Sequence, residues 1–238
     1  MKIALLGYGK MGKEIEQIAI SRGHSIVLKI EIGNAADLTT ENLKKADVAI
    51  EFSTPATAVN NIYKCFEANV PIVVGTTGWS DKLEEVKKKC AEKKQALFYA
   101  SNFSVGVNIF FKVNQFLAKI MNGYTDYNVS MEEVHHVHKL DSPSGTGLTL
   151  ANQVLDNVKR KSKWVEGSAT SNNELSIISK REGEVPGTHI IKYTSAVDDI
   201  EIKHVAHNRK GFALGAVLAA EWIKGKQGVY GMNDLLNI

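Results

Sequence analysis

The sequence predicts an α/β fold, with a doubly wound parallel sheet in the first part of the chain and a second region of α+β character. Over the first 104 residues, short apolar segments alternate with segments of helical periodicity, as in βαβ units. These apolar segments are continuous and do not alternate with polar residues, which is typical of strands buried on both faces. After residue 105 the strand patterns instead alternate apolar and polar residues.

The first region contains five predicted strands separated by helices. The strands are Lys2–Leu6, Ser25–Ile30, Val48–Phe52, Pro71–Val74 and Ala96–Tyr99. The helical patterns between them are Met11–Ser21, Thr54–Ala68 and Asp81–Lys94.

The second region mixes helices and strands with one long polar connection. The predicted helices are Val105–Met121, Thr146–Val158 and the Ala- and Gly-rich Gly211–Lys224. The predicted strands are Tyr127–Val134, Leu175–Ser179, Thr188–Thr194 and Asp199–Ala206. The polar stretch Lys159–Asn173 is predicted to be an exposed connection.

Composition excludes several classes of protein. The 238 residues include 29 Lys and Arg and 26 Asp and Glu, a net charge of +3 that is spread along the chain. Nucleic-acid binding favours a concentrated basic stripe, so no nucleic-acid partner is expected. Apolar runs stay far below the roughly 18 residues of a membrane span, and no signal peptide is visible. We therefore expect a cytoplasmic protein that does not associate with membranes.

A glycine-rich turn follows the first predicted strand and opens the first helix. Its residues are Gly7, Tyr8, Gly9, Lys10, Met11 and Gly12. In a Rossmann-type sheet, Gly7 would permit the tight turn, Gly9 would let the backbone approach a pyrophosphate, and Gly12 would allow close helix–strand packing. The alternative is that these glycines serve packing alone.

Glu31 ends the second strand, 19 residues after Gly12, where a dinucleotide fold needs an acidic residue for the ribose diol. A solvated carboxylate at a strand end is the alternative interpretation. Glu31 would oppose a ribose 2′-phosphate, which favours NADH, whereas Lys10 and Lys29 could tolerate NADPH. The cofactor is therefore predicted to be NADH or NADPH.

Two further segments lie where strands of this sheet end. Gly75, Thr76 and Thr77 follow the fourth strand, and the fifth is followed by Ala100, Ser101, Asn102 and Phe103. The carboxyl ends of parallel strands line the ligand crevice, so both segments are predicted to lie at the ligand-binding edge of the sheet, where the first leaves room for a nicotinamide ribose. A plain turn remains an alternative for the first.

Three histidines and a lysine fall within five residues at His135, His136, His138 and Lys139. If the strand continued through them, His135 and Lys139 would share one face and could act on one substrate. The helix that follows opens at Ser144, Gly145 and Thr146. Ser144 or Thr146 is a natural N-cap, Gly145 allows close approach, and the free amides could bind a carboxylate.

A metal site at these histidines is not expected. Adjacent His135 and His136 would point apart on a strand, and no carboxylate or cysteine is placed to complete the ligand set. Exposed surface histidines are a further alternative. Clustered cationic groups should resist protonation until an anion binds. The chain has only four arginines for a bidentate grip on a carboxylate: Arg22, Arg160, Arg181 and Arg209.

The segment His135–Thr146 resembles the signature of the 4-hydroxy-tetrahydrodipicolinate reductase (dihydrodipicolinate reductase) family, with Ser142 in place of the usual alanine. Further matching strings are G-T-T-G at 75–78, N-F-S-V-G-V-N at 102–108, R-E-G at 181–183 and G-F-A-L-G-A-V at 211–217. Two departures are a glycine turn shorter than in some members and a short connection near 160–173.

The resemblance implies a dinucleotide-binding domain of residues 1–104 completed by 210–238. It also implies a substrate and oligomerisation domain of 105–209, built on a mixed open sheet and assembled as a homotetramer. The implied reaction reduces 4-hydroxy-tetrahydrodipicolinate, a small dicarboxylate, to tetrahydrodipicolinate with loss of water, in lysine and diaminopimelate biosynthesis.

The resemblance also implies residue roles. Gly75–Thr77 and Ala100–Phe103 would contact the cofactor. His135 would be the proton donor and acceptor, and Lys139 a proton donor. The substrate-binding residues would be His136, Lys139, Ser144, Gly145 and Thr146. Two rival functions stay open: a nucleotide-sensing module without turnover, which would need no proton donors, and another dehydrogenase sharing only the first domain.

Overall fold

The computed structural model describes residues 1–208 and 210–238. Its elements, in chain order, are β1 Lys2–Leu6, α1 Lys10–Ser21, β2 Ser25–Ile30, α2 Thr40–Leu43, β3 Val48–Glu51, α3 Pro55–Glu67, β4 Ile72–Val74, α4 Leu83–Glu92, β5 Ala96–Tyr99, α5 Val105–Met121, β6 Asn128–His135, α6 Gly145–Asn157, β7 Lys163–Glu166, β8 Glu174–Arg181, β9 Gly187–Thr194, β10 Asp199–Ala206, α7 Lys210–Ile223, β11 Gly228–Tyr230 and α8 Met232–Leu236. The chain forms two compact units, Met1–Val105 with Lys210–Ile238, and Gly106–Arg209.

The first unit contains a six-stranded, fully parallel sheet in the order β11-β5-β4-β3-β1-β2. Apolar clusters cover both faces, which explains why its strands are continuously apolar. β1 lies between β2 and β3, so the order of the strands reverses there. Such a switch point opens a crevice at the carboxyl ends of the strands. The predicted doubly wound parallel sheet is confirmed.

Helix α7 closes one face of this sheet at very short range. A Cβ atom on Gly215 would lie 1.8 Å from the carbonyl oxygen of Phe103. Only glycine permits this approach, and the buried alanines of α7 extend the same close packing. The small residues of α7 thus hold the backbone that follows β5.

The second unit is built on a mixed five-stranded sheet in the order β10-β9-β6-β8-β7. β6 pairs antiparallel with β9 and parallel with β8. The alternation predicted for β6 is confirmed, because Val129, Met131 and Glu133 are buried while the residues between them are not. The apolar residues of α5 and α6 pack on that buried face.

The predicted exposed connection Lys159–Asn173 is wrong in part. It contains β7, which pairs parallel with β8, and Lys161 within it is only 4% exposed. The Lys161 ammonium donates to Asn128 Oδ1 at 2.7 Å and to the carbonyl oxygens of Asn172 at 2.9 Å and Glu174 at 2.8 Å. These three acceptors replace water and make the burial tolerable.

Candidate active site

The glycine-rich turn brings the backbone after β1 against the backbone after β3. Gly7 has φ +97°, and a Cβ atom there would lie 2.0 Å from the carbonyl oxygen of Phe52. A Cβ on Gly12 would lie 2.3 Å from the carbonyl oxygen of Gly7. Both positions therefore exclude any side chain, as the predicted roles of tight turn and close packing require.

The start of α1 is open to an anion. Gly9 is the N-cap residue and has no side chain that could accept a hydrogen bond from the first-turn amides. A Cβ on Gly9 would meet nothing within 4 Å, so there is room for a ligand above these amides. Free N–H groups and the positive end of the helix dipole form a phosphate site. The turn therefore fits a dinucleotide pyrophosphate.

The charged groups near the predicted ribose site are unequally available. Glu31 is exposed after β2, and its backbone N–H donates to Asn34 Oδ1 at 2.8 Å. The Lys29 ammonium is 2.7 Å from Glu16 Oε1, and the hydroxyl of Tyr8 donates to the same Glu16 side chain. Lys29 is thus already paired with a carboxylate, whereas Lys10 is exposed at the helix start.

The residues predicted after β4 and β5 divide into exposed and buried members. Thr77 and Ser101 are exposed, and Ala100 and Asn102 are half-buried. The buried Thr76 hydroxyl accepts from the N–H of Ser53 at 2.8 Å. Gly75 has no side chain, and the side chains of Thr76 and Phe103 are buried in the protein interior. These three residues could therefore contact a cofactor only through their backbone atoms.

Glu51, at the end of β3, is a buried acid to which the sequence pattern assigned no role. Its carboxylate accepts from the N–H of Ser53 at 3.1 Å and from Asn61 Nδ2 at 3.4 Å. Burial raises its pKa, although these hydrogen bonds oppose the effect. The signal in the sequence was an acidic residue ending an otherwise apolar strand. Glu51 fixes the turn that Gly7 packs against.

The histidine segment does not continue as a strand. β6 ends at His135, and the chain then turns, with the N–H of Lys139 donating to the carbonyl oxygen of His136 at 3.1 Å. The predicted alternation of faces through Lys139 is therefore wrong, because the backbone N–H of Val137 donates to the carbonyl oxygen of Gly183 instead of continuing the sheet ladder. His138 projects outward and lies 3.1 Å from Glu184 Oε1.

His135 lies in a buried polar cluster with Glu133 and His189, two residues that the sequence pattern did not single out as site residues. All three are at most 6% exposed. Glu133 Oε1 is 3.7 Å from His135 Nδ1, and Glu133 Oε2 is 3.7 Å from His189 Nε2. Sheet register produces the cluster, since Glu133 pairs with His189 across β6 and β9.

Ser144 is the N-cap of α6, as predicted, and Thr146 is not. The Oγ of Ser144 accepts from the N–H of Gly147 at 3.0 Å and donates to Glu133 Oε2 at 2.5 Å. The N–H of Ser144 also donates to Glu133, at 2.9 and 3.1 Å from the two oxygens. A Cβ on Gly145 would meet nothing within 4 Å, so the amides at this helix start lie beside open space.

The electrostatics of His135 follow from burial first and from charges second. Burial lowers the pKa of His135; Lys139 and Arg181 lower it further, while Glu133 and Asp141 oppose them. Burial also lowers the pKa of His189, to about 3. Both shifts favour the neutral imidazole in the free protein. The predicted resistance to protonation agrees in direction, but desolvation is its largest cause.

Two cationic side chains border this cluster. The Lys139 ammonium binds Asp141, at 2.8 Å from Oδ1 and 2.9 Å from Oδ2. Arg181 donates from Nη2 to the carbonyl oxygen of Asp141 at 2.7 Å, and its Nη1 is 3.7 Å from Glu133 Oε1. Arg181 belongs to the matched R-E-G string, but the sequence pattern assigned it no role.

Arg22 and Arg160 stabilise the fold away from the histidine segment. Arg22 forms a two-point ion pair with Glu221 at 2.8 Å. Arg160 donates to the carbonyl oxygens of Met121 and Tyr127. Arg209 lies outside the described residues.

The buried cluster also contains a carboxylate that could complete a set of metal ligands. Ligand atoms of Glu133, His135 and His189 all lie within 4.8 Å of one another. Both oxygens of Glu133 already accept hydrogen bonds from Ser144, however. Arg181 and Lys139 add positive charge that opposes a second cation. The donor set fits a hydrogen-bond network better than a metal ion.

Comparison with known proteins decides the family. A family profile described as dihydrodipicolinate reductase, N-terminus, matches residues 1–103, and one described as dihydrodipicolinate reductase, C-terminus, matches residues 106–236. The chain belongs to the dihydrodipicolinate reductase family. It is therefore an oxidoreductase, and the N-terminal region of this family is its NAD(P)-binding Rossmann domain.

Relatives of this reductase family cover the full chain. A 4-hydroxy-tetrahydrodipicolinate reductase of Christiangramia forsetii is 48% identical over 100% of this chain and 98% of its own length. One from Methanosarcina acetivorans is 36% identical over 99% of this chain and 89% of its own. The dipicolinate-bound dihydrodipicolinate reductase from Paenisporosarcina sp. TG-14 superposes with a TM-score of 0.79 at 22% identity, covering 98% of both chains.

Proposed function

We propose that His135 and Lys139 supply the proton for the reaction of this chain, the NAD(P)H-dependent reduction of 4-hydroxy-tetrahydrodipicolinate to tetrahydrodipicolinate with loss of water. The reaction belongs to diaminopimelate and lysine biosynthesis, and it consumes one hydride and one proton for each water released. The observation that carries the proposal is that one short segment holds a buried imidazole, His135, and an ammonium, Lys139, whose charge lowers the pKa of that imidazole.

The first unit is suited to hold the cofactor. The amides that open α1 at Lys10, Met11 and Gly12 would bind the pyrophosphate, and Glu31 would accept hydrogen bonds from a ribose diol. The backbone after β4 and β5 would border the nicotinamide end. When bound, reduced nicotinamide supplies the hydride. The chain itself supplies binding and orientation.

The second unit is suited to hold a small dicarboxylate. The start of α6 has open space beside Gly145, and the amides of Gly145 and Thr146 would bind one carboxylate there. Lys139 and Arg181 would supply positive charge for the other carboxylate, and His136 lies in the same segment as Lys139. The Paenisporosarcina relative was solved with dipicolinate, a planar dicarboxylate. That ligand supports the same substrate class here.

Proton supply follows from the charge balance at His135. The free site disfavours an imidazolium because of burial and the nearby cations. A bound dianion would reverse this balance and raise the pKa of His135, so that the imidazole becomes protonated only when substrate is present. The ammonium of Lys139, moved from Asp141 to the substrate, would stabilise negative charge or donate a proton at the reacting end.

The test is an assay of the purified chain with substrate generated in place by a preceding aldolase-type condensation. Loss of absorbance at 340 nm is expected with both reduced cofactors. NADH should have the higher kcat/KM, because Glu31 is exposed and Lys29 is paired with Glu16. Cofactor binding without substrate-dependent oxidation would contradict the proposal and indicate a nucleotide sensor.

A homotetramer formed through the mixed sheet is part of the proposal. Helices α5 and α6 pack on one face of that sheet, whereas Ile178 and Ile190 on the other face are only half-buried. Apolar residues on an uncovered sheet face favour packing against another copy. Light scattering in solution should give about four times the 26.1 kDa of one chain. A mass of one chain would contradict this.

Location in the cell is also proposed. Among the described residues, no helix combines the length and apolar character needed to cross a bilayer. A cytoplasmic location is proposed from membership of a biosynthetic enzyme family, and fractionation of cells tests it.

A further inference from the structure

We propose that Glu133 is a positioning residue whose buried carboxylate holds the start of α6 and the ring of His135 in one arrangement and provides the negative charge against which His135 takes up its proton. The inference rests on the proposed function, because it assigns a purpose to the protonation of His135. Glu133 acts through the two residues that it contacts, His135 and Ser144.

The first contact of Glu133 is with the start of α6. Glu133 is 1% exposed and accepts from both the N–H and the hydroxyl of Ser144. Ser144 in turn caps α6 through Gly147, where a Cβ would lie 2.4 Å from Glu133 Oε2. A carboxylate in the middle of the sheet, rather than a loop residue, thus fixes the helix start that is proposed to bind the substrate carboxylate.

The second contact of Glu133 is with His135. Among the described residues, the buried Nδ1 of His135 has no hydrogen-bond partner, and Glu133 Oε1 lies 3.7 Å from it. This distance is too long for a hydrogen bond but short for an ion pair in a buried site. Gly187, with φ +157°, lies on the other side of the ring, where a Cβ would be 3.2 Å from Nε2. A small movement of the ring toward Glu133 would let a protonated Nδ1–H donate to the carboxylate.

The charges that face His135 make Glu133 the main support for its protonated form. Lys139 and Arg181 oppose protonation, and neutral His189 contacts the ring edge-on with centroids 5.1 Å apart. Asp141 favours protonation but is exposed and already bound to Lys139. Glu133 is the larger of the two favourable influences on the pKa of His135. Without its charge the two cations would dominate.

The decisive variant is Glu133→Gln, because the amide keeps an oxygen to accept from Ser144 but carries no charge. The titration midpoint of the His135 ring, followed by NMR in the ligand-free protein, should move to lower pH by about one to three units. The pH above which kcat/KM declines should move in the same direction, while KM at low pH should change little. A residue serving only as a helix cap would weaken substrate binding without moving either pH value.

A matched control lies next in sequence. Glu132 is on the opposite face of β6 and pairs with Lys180 at 2.9 Å. Glu132→Gln removes the same charge from the same strand and should leave the titration of His135 in place. Glu133→Asp should restore a midpoint close to that of the unmodified protein, because it keeps the charge. If Glu133→Gln does not fold, Glu133→Asp remains the test, because a midpoint that falls by about one unit or more although the charge is kept would overturn the inference.

The outcomes separate this inference from the proposed function. Suppose that Glu133→Gln leaves the NMR midpoint of His135 unmoved and that His135→Gln is inactive. These results would overturn the positioning role of Glu133 and leave the proton role of His135 intact. A moved NMR midpoint with an unmoved kcat/KM profile supports the coupling of Glu133 to His135 and counts against His135 as the proton donor. Movement of both supports both.

Discussion

Replacing His135 with glutamine is expected to lower kcat by roughly 10²- to 10⁴-fold, the usual contribution of a positioned acid or base. KM should change less, because glutamine keeps a polar group of similar reach while the proton is lost. His135 is buried next to Glu133, so water cannot reach this position and donate the proton in place of the imidazole. Steady-state kinetics with NADH and substrate generated in place measure the effect.

The activity of the unmodified protein should fall as pH rises, because His135 then loses the proton that it is proposed to donate. Burial places the pKa of His135 below its ordinary value in the free protein. As pH rises through that value, free His135 loses its proton, so kcat/KM should decline at a lower pH than kcat does. The dianionic substrate raises the pKa in the complex, so the decline of kcat should occur at higher pH. Both declines should disappear in His135→Gln.

A matched control is His138→Gln. His138 belongs to the same segment but is exposed beside Glu184. Its replacement should leave kcat and the pH profile within a small factor of the unmodified protein. Equal activity of the His135 and His138 variants would end the assignment of His135 as proton donor.

Local pattern predicted the first unit well because its determinants are local. The strands β1, β2 and β5 begin and end where predicted, since short, mostly apolar runs between helical segments define buried parallel strands. The turn at Gly7 was equally readable, because only glycine fits the contact with Phe52. Lys161 was misjudged because its acceptors come from Asn128, Asn172 and Glu174, which pattern alone does not bring together.

The candidate site depends on contacts that no local pattern specifies. His135 and Lys139 were found because they are neighbours in sequence, but the turn after β6 was not foreseen, so the reason given for their proximity was wrong. Glu133 meets His189 only through the register of β6 and β9, and Arg181 pairs with His135 through β8. Register depends on the whole sheet, so a single segment does not specify it. Buried charge at Glu133, on the apolar face of an alternating strand, was the one local sign of the cluster.

Replacing Lys139 with alanine is expected to damage both kinetic parameters. Loss of a charged donor at the reacting end should lower kcat by roughly 10²- to 10³-fold. Loss of its ion pair with a substrate carboxylate should raise KM by about tenfold or more. Thermal stability should stay close to that of the unmodified protein, because the partner Asp141 is largely exposed and such surface pairs contribute little.

Lys139→Arg separates the two roles of this ammonium. Arginine keeps the positive charge and can bind a carboxylate, but it does not release a proton at the pH of the assay. KM should therefore recover toward that of the unmodified protein while kcat stays low. Recovery of kcat as well would show that charge alone is needed and that the proton comes entirely from His135. Full activity of Lys139→Ala would remove Lys139 from the site, and the substrate would then have to be held by Arg181 and the start of α6.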